Sequence, residues 1–303
     1  MANDIDVYNR YTGAIEQEMV YGEGYLRFVY DNPLGRLLLF ALIKRSFFSR
    51  LYGWLMSRPG SRRKIEPFIE QYRLDASEFA EPVSAFGTFN EFFTRRLTAA
   101  ARPICEDEDA LVFPADGRHL VFPDLSRAQP AYVKACAFEL ARFVGSDELA
   151  RDYEHGSMLI CRLAPIDYHR FHFPVSGVAG PVRRIAGDLL SVSPIGLARM
   201  TKTFVDNKRW VTTIETERFG RVTFIEVGAT AVGSVEHTAG PGPVERGDEK
   251  GYFLFGGSTV VVLLEPGRVQ WSDDLLEHSA RGVELYAKMG DVAGRLAEDD
   301  DAG

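Results

Sequence analysis

Apolar and polar positions follow two different textures along the chain. After Asn32-Pro33, a plausible helix start, residues 34–56 alternate apolar clusters with basic side chains until Pro59-Gly60 stops the pattern. Residues 65–72 continue the helical spacing, as do 89–96, where Asn90-Glu91-Phe92-Phe93 precedes Arg95-Arg96. Residues 99–109, with Pro103 and a run of acids, read as a linker. Short strand-like runs then dominate: 111–113, 158–163, 210–214, 222–227 and 259–264, interrupted by one helical pattern at 137–144. Helices first and mostly antiparallel strands afterwards predict an α+β fold. The expected division is a helical, membrane-associating region over residues 1–98 and a β-rich catalytic domain, sandwich or barrel-like, over residues 99–303.

Composition supports folding and sharpens the first region. With 46% apolar and 12% aromatic residues, 303 residues can bury a sizeable core. The three cysteines, Cys105, Cys136 and Cys161, match neither a disulfide framework nor a zinc motif, so a reducing compartment is expected. The first six residues lack the apolar core of a signal peptide, and the acidic run 298–301 reads as a disordered tail. A net charge of −8 argues against general nucleic-acid binding. Yet residues 33–64 hold eight basic residues and no acid: Arg36, Lys44, Arg45, Arg50, Arg58, Arg62, Arg63 and Lys64. The longest apolar run there, residues 37–43, is far short of the roughly 20 residues that span a bilayer. A helix lying in the interface of an anionic membrane competes with an ordinary core helix whose basic edges are solvated.

The stretch Tyr252-Phe253-Leu254-Phe255-Gly256-Gly257-Ser258-Thr259 runs into five apolar residues, Val260 to Leu264. A glycine pair before a buried strand is usually only a turn, but here Gly257 leaves its carbonyl unshielded and Ser258 places a hydroxyl one residue beyond it. Two of the six histidines, His169 and His172, sit three apart in a segment framed by Pro165 and Pro174, beside Asp167. No third ligand at suitable spacing accompanies them, so acid–base work is favoured over metal binding. Asp116, in a Pro-Ala-Asp-Gly turn, could fix the tautomer of a histidine, making Asp116, His172 and Ser258 a candidate triad.

These residues resemble the phosphatidylserine decarboxylase family. The match is carried by Pro114-Ala115-Asp116-Gly117, Asp167-Tyr168-His169-Arg170-Phe171-His172 and Gly247-Asp248-Glu249-Lys250-Gly251-Tyr252-Phe253 leading to Gly257-Ser258-Thr259-Val260. Phe89 to Arg95, Gly187 to Val192 and Val227 to Ser234 join them, all in family order between about residues 35 and 270. One departure is Gly256, which stands where the family usually has leucine. The resemblance implies that the Ser258 hydroxyl attacks the Gly257 carbonyl, with His172 as base oriented by Asp116, and that elimination and hydrolysis leave a pyruvoyl group at the new terminus. It further implies that this covalent cofactor forms a Schiff base with phosphatidylserine and acts as the electron sink for loss of carbon dioxide, His169 assisting decarboxylation and reprotonation. The implied partners are the lipid substrate, an anionic membrane surface held by Arg36, Lys44, Arg45, Arg50, Arg62, Arg63 and Lys64, and the two cleavage fragments as a heterodimer that itself pairs into a homodimer. No nucleic acid and no metal are implied, and the implied location is peripheral, on the cytoplasmic face of the cell membrane.

Two rivals fit part of the pattern. A Ser-His-Asp hydrolase acting on lipid would use the same three residues, but Gly256-Gly257-Ser258-Thr259-Val260 lacks the G-x-S-x-G elbow and opens a strand. A non-enzymatic membrane-docking module would use the basic stretch and leave the histidines and the glycine pair without a role.

Overall fold

The computed structural model describes residues 6–18, 32, 51, 53–126, 140–188, 203–228, 235–255 and 258–297. Its strands, in chain order, begin with β1 (Asp6–Asn9), β2 (Ala14–Gln17), β3 (Ala110–Val112), β4 (Gly117–Phe122), β5 (Ser157–Leu163) and β6 (Arg170–His172). Then come β7 (Gly177–Ala179), β8 (Arg183–Ile185), β9 (Arg209–Glu215), β10 (Arg221–Gly228), β11 (Val235–His237) and β12 (Gly242–Val244). The last are β13 (Glu249–Phe253), β14 (Ser258–Leu264), β15 (Val269–Trp271), β16 (Glu284–Ala287) and β17 (Val292–Leu296). The helices are α1 (Ile65–Tyr72), α2 (Phe89–Phe93), α3 (Leu140–Val144), α4 (Asp147–Asp152), α5 (Thr203–Asp206) and α6 (Asp273–Ala280).

The principal sheet runs β12-β7-β9-β10-β14-β5-β4-β16-β1-β2, with β8 also paired to β9. Two three-stranded sheets, β11-β13-β6 and β15-β17-β3, complete the β structure, and none of the three sheets closes into a barrel. Among the described residues every strand pair is antiparallel except β1 with β16.

The unbroken apolar run of β14 has a direct cause, because the strand is covered on both faces. Val260, Val262 and Leu264 join a core with Phe171, Phe173, Phe224 and Phe253, where the β11-β13-β6 sheet packs. Val261 and Leu263 face the opposite way, against Phe143, Val144, Leu149 and Tyr153 of the α3–α4 region. A third cluster joins Met56, Ile65, Phe68, Phe79, Phe86, Phe89, Phe92 and Phe93 to Phe255. Phe255 lies three residues before Ser258, so the helical segment packs directly on the approach to the candidate cleavage site. The rings of Phe89 and Phe93 meet that of Phe255 at 5.1 and 4.9 Å between centroids.

The N-terminal expectation needs correcting. The first described residues are not helical: β1 and β2 form a hairpin that extends the principal sheet through β16. Parallel pairing of Val7, Tyr8 and Asn9 with Glu284, Leu285 and Tyr286 satisfies the backbone there, which no helix at that edge could do. Residues 53–56 and α1 are helical as expected, but a 3-10 helix over Pro59–Lys64 stands where Pro59-Gly60 was expected to stop the pattern, and α2 ends at Phe93 rather than at 96. Most of the basic helix expected at 34–56 lies outside the described residues. Helices α4, α5 and α6 interrupt the β region beyond the one expected, at 137–144, of which α3 is the described part.

Candidate active site

Ser258 opens β14 and is opposed by Gly228 of β10 on one side and Leu163 of β5 on the other. Paired residues of neighbouring strands share a face, so the Ser258 side chain lies on the same face as Val260 and Cys161, toward the β11-β13-β6 sheet. It is fully buried, and among the described residues its Oγ has no hydrogen-bond partner. Leaving a hydroxyl unpaired in such a place costs about 1–3 kcal/mol, a cost that a purely structural serine would avoid by turning to a carbonyl. Gly256 and Gly257 lie outside the described residues.

Both histidines come from the adjoining layer. β6 pairs with β13, His172 standing opposite Glu249, and the N–H of Phe253 donates to the His169 carbonyl at 3.0 Å. Along β6 the alternation is visible in the packing: Phe171 and Phe173 enter the core under β14, while His172 stacks on Tyr168 at 5.8 Å. The His172 N–H donates to Pro114 O at 2.7 Å, and its ring Nδ1 is buried without a hydrogen bond among the described residues. Burial pushes the His172 imidazole down to about 4, with Glu249 and Asp116 partly opposing that fall. His169 is fully buried, its ring 3.9 Å from that of Phe93 and its Nδ1 3.0 Å from the Asp167 carbonyl. Through Phe93 it belongs to the same aromatic contact chain as Phe255.

Asp116 is buried immediately before β4, but its partners differ from those expected. Arg102 reaches it with Nε at 2.8 and 2.9 Å and Nη2 at 2.5 Å, and the N–H of Met289 donates to Oδ1 at 2.9 Å. No hydrogen bond joins Asp116 to His172. A guanidinium offers two charged donors in a planar fork, which a neutral imidazole cannot match. Asp116 therefore acts on His172 here as a nearby negative charge. Sequence reasoning missed Arg102, a single arginine in the expected linker with nothing local to mark it.

The layer between the sheets contains a buried ion pair as well. Lys250 of β13 contacts Glu226 of β10, and His237 Nε2 stands 3.5 Å from the same carboxylate. The rings of Phe224, Phe171 and Phe173 surround the ammonium at 5.0, 5.8 and 6.0 Å. Glu226 stays ionised because Lys250, and then His237, outweigh its burial. The pair fastens the sheet carrying the histidines to the sheet carrying Ser258.

The expected membrane residues divide. Arg36, Lys44, Arg45 and Arg50 lie outside the described residues, whereas Arg62, Arg63 and Lys64 are exposed. Near them Leu51, Trp54 and Leu55 are 44%, 51% and 44% exposed, and Arg58 lies 3.8 Å over the Trp54 ring. Among the described residues no helix is long and apolar enough to cross a membrane.

A family model described as phosphatidylserine decarboxylase matches residues 89–295. The phosphatidylserine decarboxylase proenzyme of Chlamydia trachomatis serovar D is 44% identical over 295 residues, covering 97% of this chain and 98% of the relative. Proteins of the same name from Chlamydia muridarum and Fusobacterium nucleatum subsp. nucleatum are 46% and 41% identical. The first covers 95% of this chain and 96% of its own, the second 96% and 97%. With both its signature segments and nearly its whole length matched, the chain belongs to the phosphatidylserine decarboxylase family.

Proposed function

We propose that this chain cleaves itself between Gly257 and Ser258 and then decarboxylates phosphatidylserine to phosphatidylethanolamine. The observation that carries the reading is Ser258 itself: a buried hydroxyl, without a hydrogen-bond partner among the described residues, at the head of a central strand whose core is covered by the sheet that carries His172 and adjoins His169.

In self-cleavage Ser258 Oγ attacks the Gly257 carbonyl, and its proton is accepted by His172, which burial keeps neutral. The His172 ring sits on the Tyr168 side of β6, away from Phe171 and Phe173, so the approach of the two side chains is part of the proposal. The peptide nitrogen takes a proton as the amide becomes an ester. Asp116, held in place by Arg102 and Met289, supplies a fixed negative charge that favours the imidazolium as it forms. β-Elimination then removes the proton on Cα, releases residue 257 as a carboxylate and leaves a dehydroalanine, whose hydrolysis gives the pyruvoyl group and ammonia. The surroundings fit such a group, since the residue that becomes it is enclosed and shielded from water.

Once formed, the pyruvoyl ketone supplies the electron sink for decarboxylation of the substrate amine. His169 holds the proton that is returned where carbon dioxide has left. Donation from its Nδ1–H to the Asp167 carbonyl leaves Nε2 to accept and return that proton. The aromatic wall of Phe93 and Phe255 limits water beside it.

The protein is peripheral in this reading. Leu51, Trp54 and Leu55 enter the lipid interface while Arg58, Arg62, Arg63 and Lys64 meet lipid phosphates. The direct test is intact mass spectrometry together with release of carbon dioxide from carboxyl-labelled phosphatidylserine. Two chains, 1–257 and 258–303, are expected, the smaller lighter by one ammonia than its encoded sequence. A full-length chain that still decarboxylates would overturn the mechanism.

A further inference from the structure

Glu18 follows β2, outside the residues 89–295 that the family model matches. Its side chain is only 2% exposed and reaches two arginines. Oε2 lies 2.7 Å from Arg162 Nη2 as a hydrogen bond, and Oε1 lies 2.9 Å from Arg118 Nε as a charge contact without hydrogen-bond alignment. Arg118 and Arg162 stand directly opposite each other across β4 and β5. Two buried guanidinium groups in that position would repel strongly. Glu18, Asp167 and Glu284 neutralise them. Burial works against ionisation of Glu18, but Arg162 and Arg118 outweigh it and hold the carboxyl below its ordinary range.

Each arginine leads to one side of the active site. Arg162 is opposite Thr259, and the next residue, Leu163, is opposite Ser258. Arg118 grips Asp167, whose Oδ2 also accepts the Ala164 N–H at 2.6 Å and whose carbonyl accepts from His169 Nδ1 at 3.0 Å. The turn that aims His169 is therefore braced by Arg118, and Arg118 is braced by Glu18.

We infer that Glu18 is a positioning residue for decarboxylation, holding the Arg118–Asp167 brace that fixes the orientation and tautomer of His169. The N-terminal hairpin thereby becomes part of the working enzyme. This rests on the proposal that His169 returns the proton during decarboxylation.

The test uses purified, self-cleaved protein with phosphatidylserine in mixed micelles. Glu18→Gln keeps the shape and removes the charge. It should still cleave itself, while kcat falls about tenfold with KM for the lipid within about twofold, as expected when a reacting group is misaimed and substrate binding is unchanged. Glu18→Asp, which keeps the charge on a shorter stem, should recover part of that loss. Asp167→Asn cuts the same brace at its other end, so the double variant with Glu18→Gln should lose less than the product of the two single losses. Wild-type kcat in Glu18→Gln, or fully multiplicative losses in the double variant, would overturn the inference. Should Glu18→Gln not fold, wild-type kcat in Asp167→Asn would overturn it equally. His169→Ala, assayed alongside, separates the two readings. If it retains wild-type kcat, the role of His169 fails. If it is inactive while Glu18→Gln is unaffected, only the role of Glu18 fails.

Discussion

If His172 takes the Ser258 proton, self-cleavage should continue well below the pH at which an ordinary histidine becomes charged. Burial holds this imidazole down to about 4, against 6.5 for a solvated one. At pH 5.5 a base of pKa about 4 is about 97% neutral, whereas one of pKa about 6.5 is only about 9% neutral, a tenfold difference in competent precursor. The assay is a short pulse of cell-free synthesis, transfer into buffers from pH 5 to 8, and the ratio of full-length chain to fragments on a denaturing gel over time. A rate that is nearly flat from pH 8 to 5.5 is expected. A tenfold fall with a midpoint near 6.5 would refute the assignment, because it would place the essential proton on a hydrated histidine. The same depression has a stability consequence of defined sign. The folded-state value lies below the unfolded one, so this contribution is fully present above about pH 6.5 and is lost as pH falls toward 4, where the unfolded chain takes up a proton the folded one refuses. The scale is about 3 kcal/mol, to be read from urea unfolding of the uncut Ser258→Ala chain across that range.

Substitutions at the site should separate its two reactions. Ser258→Ala and His172→Ala should remain uncut on gels and inactive, while His169→Ala should yield both fragments and fail to release carbon dioxide. At the Lys250–Glu226 pair, Lys250→Met or Glu226→Leu alone should cost about 3–5 kcal/mol in urea unfolding by stranding a buried charge, and the double replacement should recover most of it. Smaller effects of the single changes would mean that water reaches the pair. Flotation with vesicles containing anionic lipid should weaken as salt rises, and weaken further with Arg62→Glu, Arg63→Glu and Lys64→Glu together. Binding indifferent to both changes would assign these residues to an ordinary solvated surface.

What could be read in advance follows from how local each cause is. The stretch Val260 to Leu264 of β14 was legible because, covered on both faces, it is apolar at every position, and α1 because its spacing is that of a helix with one buried face. β1 and β2 were not, since four-residue strands with polar, largely exposed side chains take their stability from pairing with β16 rather than from their own pattern. Asp116, His169, His172 and Ser258 stood out by residue type and by their glycine and proline surroundings. Their arrangement did not: Arg102 takes Asp116 from 14 residues away, and Glu18 reaches Arg162 from 144 residues away. Such choices are made by tertiary approach, and no local spacing encodes them.

The position of β14 also governs what a cut at its first residue does to the molecule. The strands after position 258 are threaded among earlier ones: β14 lies between β10 and β5, β16 between β4 and β1, and β17 pairs with β3. The fragments would thus be interleaved, held by whole ladders of backbone hydrogen bonds, and neither could leave without dismantling the principal sheet. Before cleavage, folding is a search by one molecule. Afterwards the same contacts must be found by two, and the effective concentration that the peptide bond provided is gone. A mature enzyme built this way is durable for as long as it stays folded, and poorly able to reassemble once it does not.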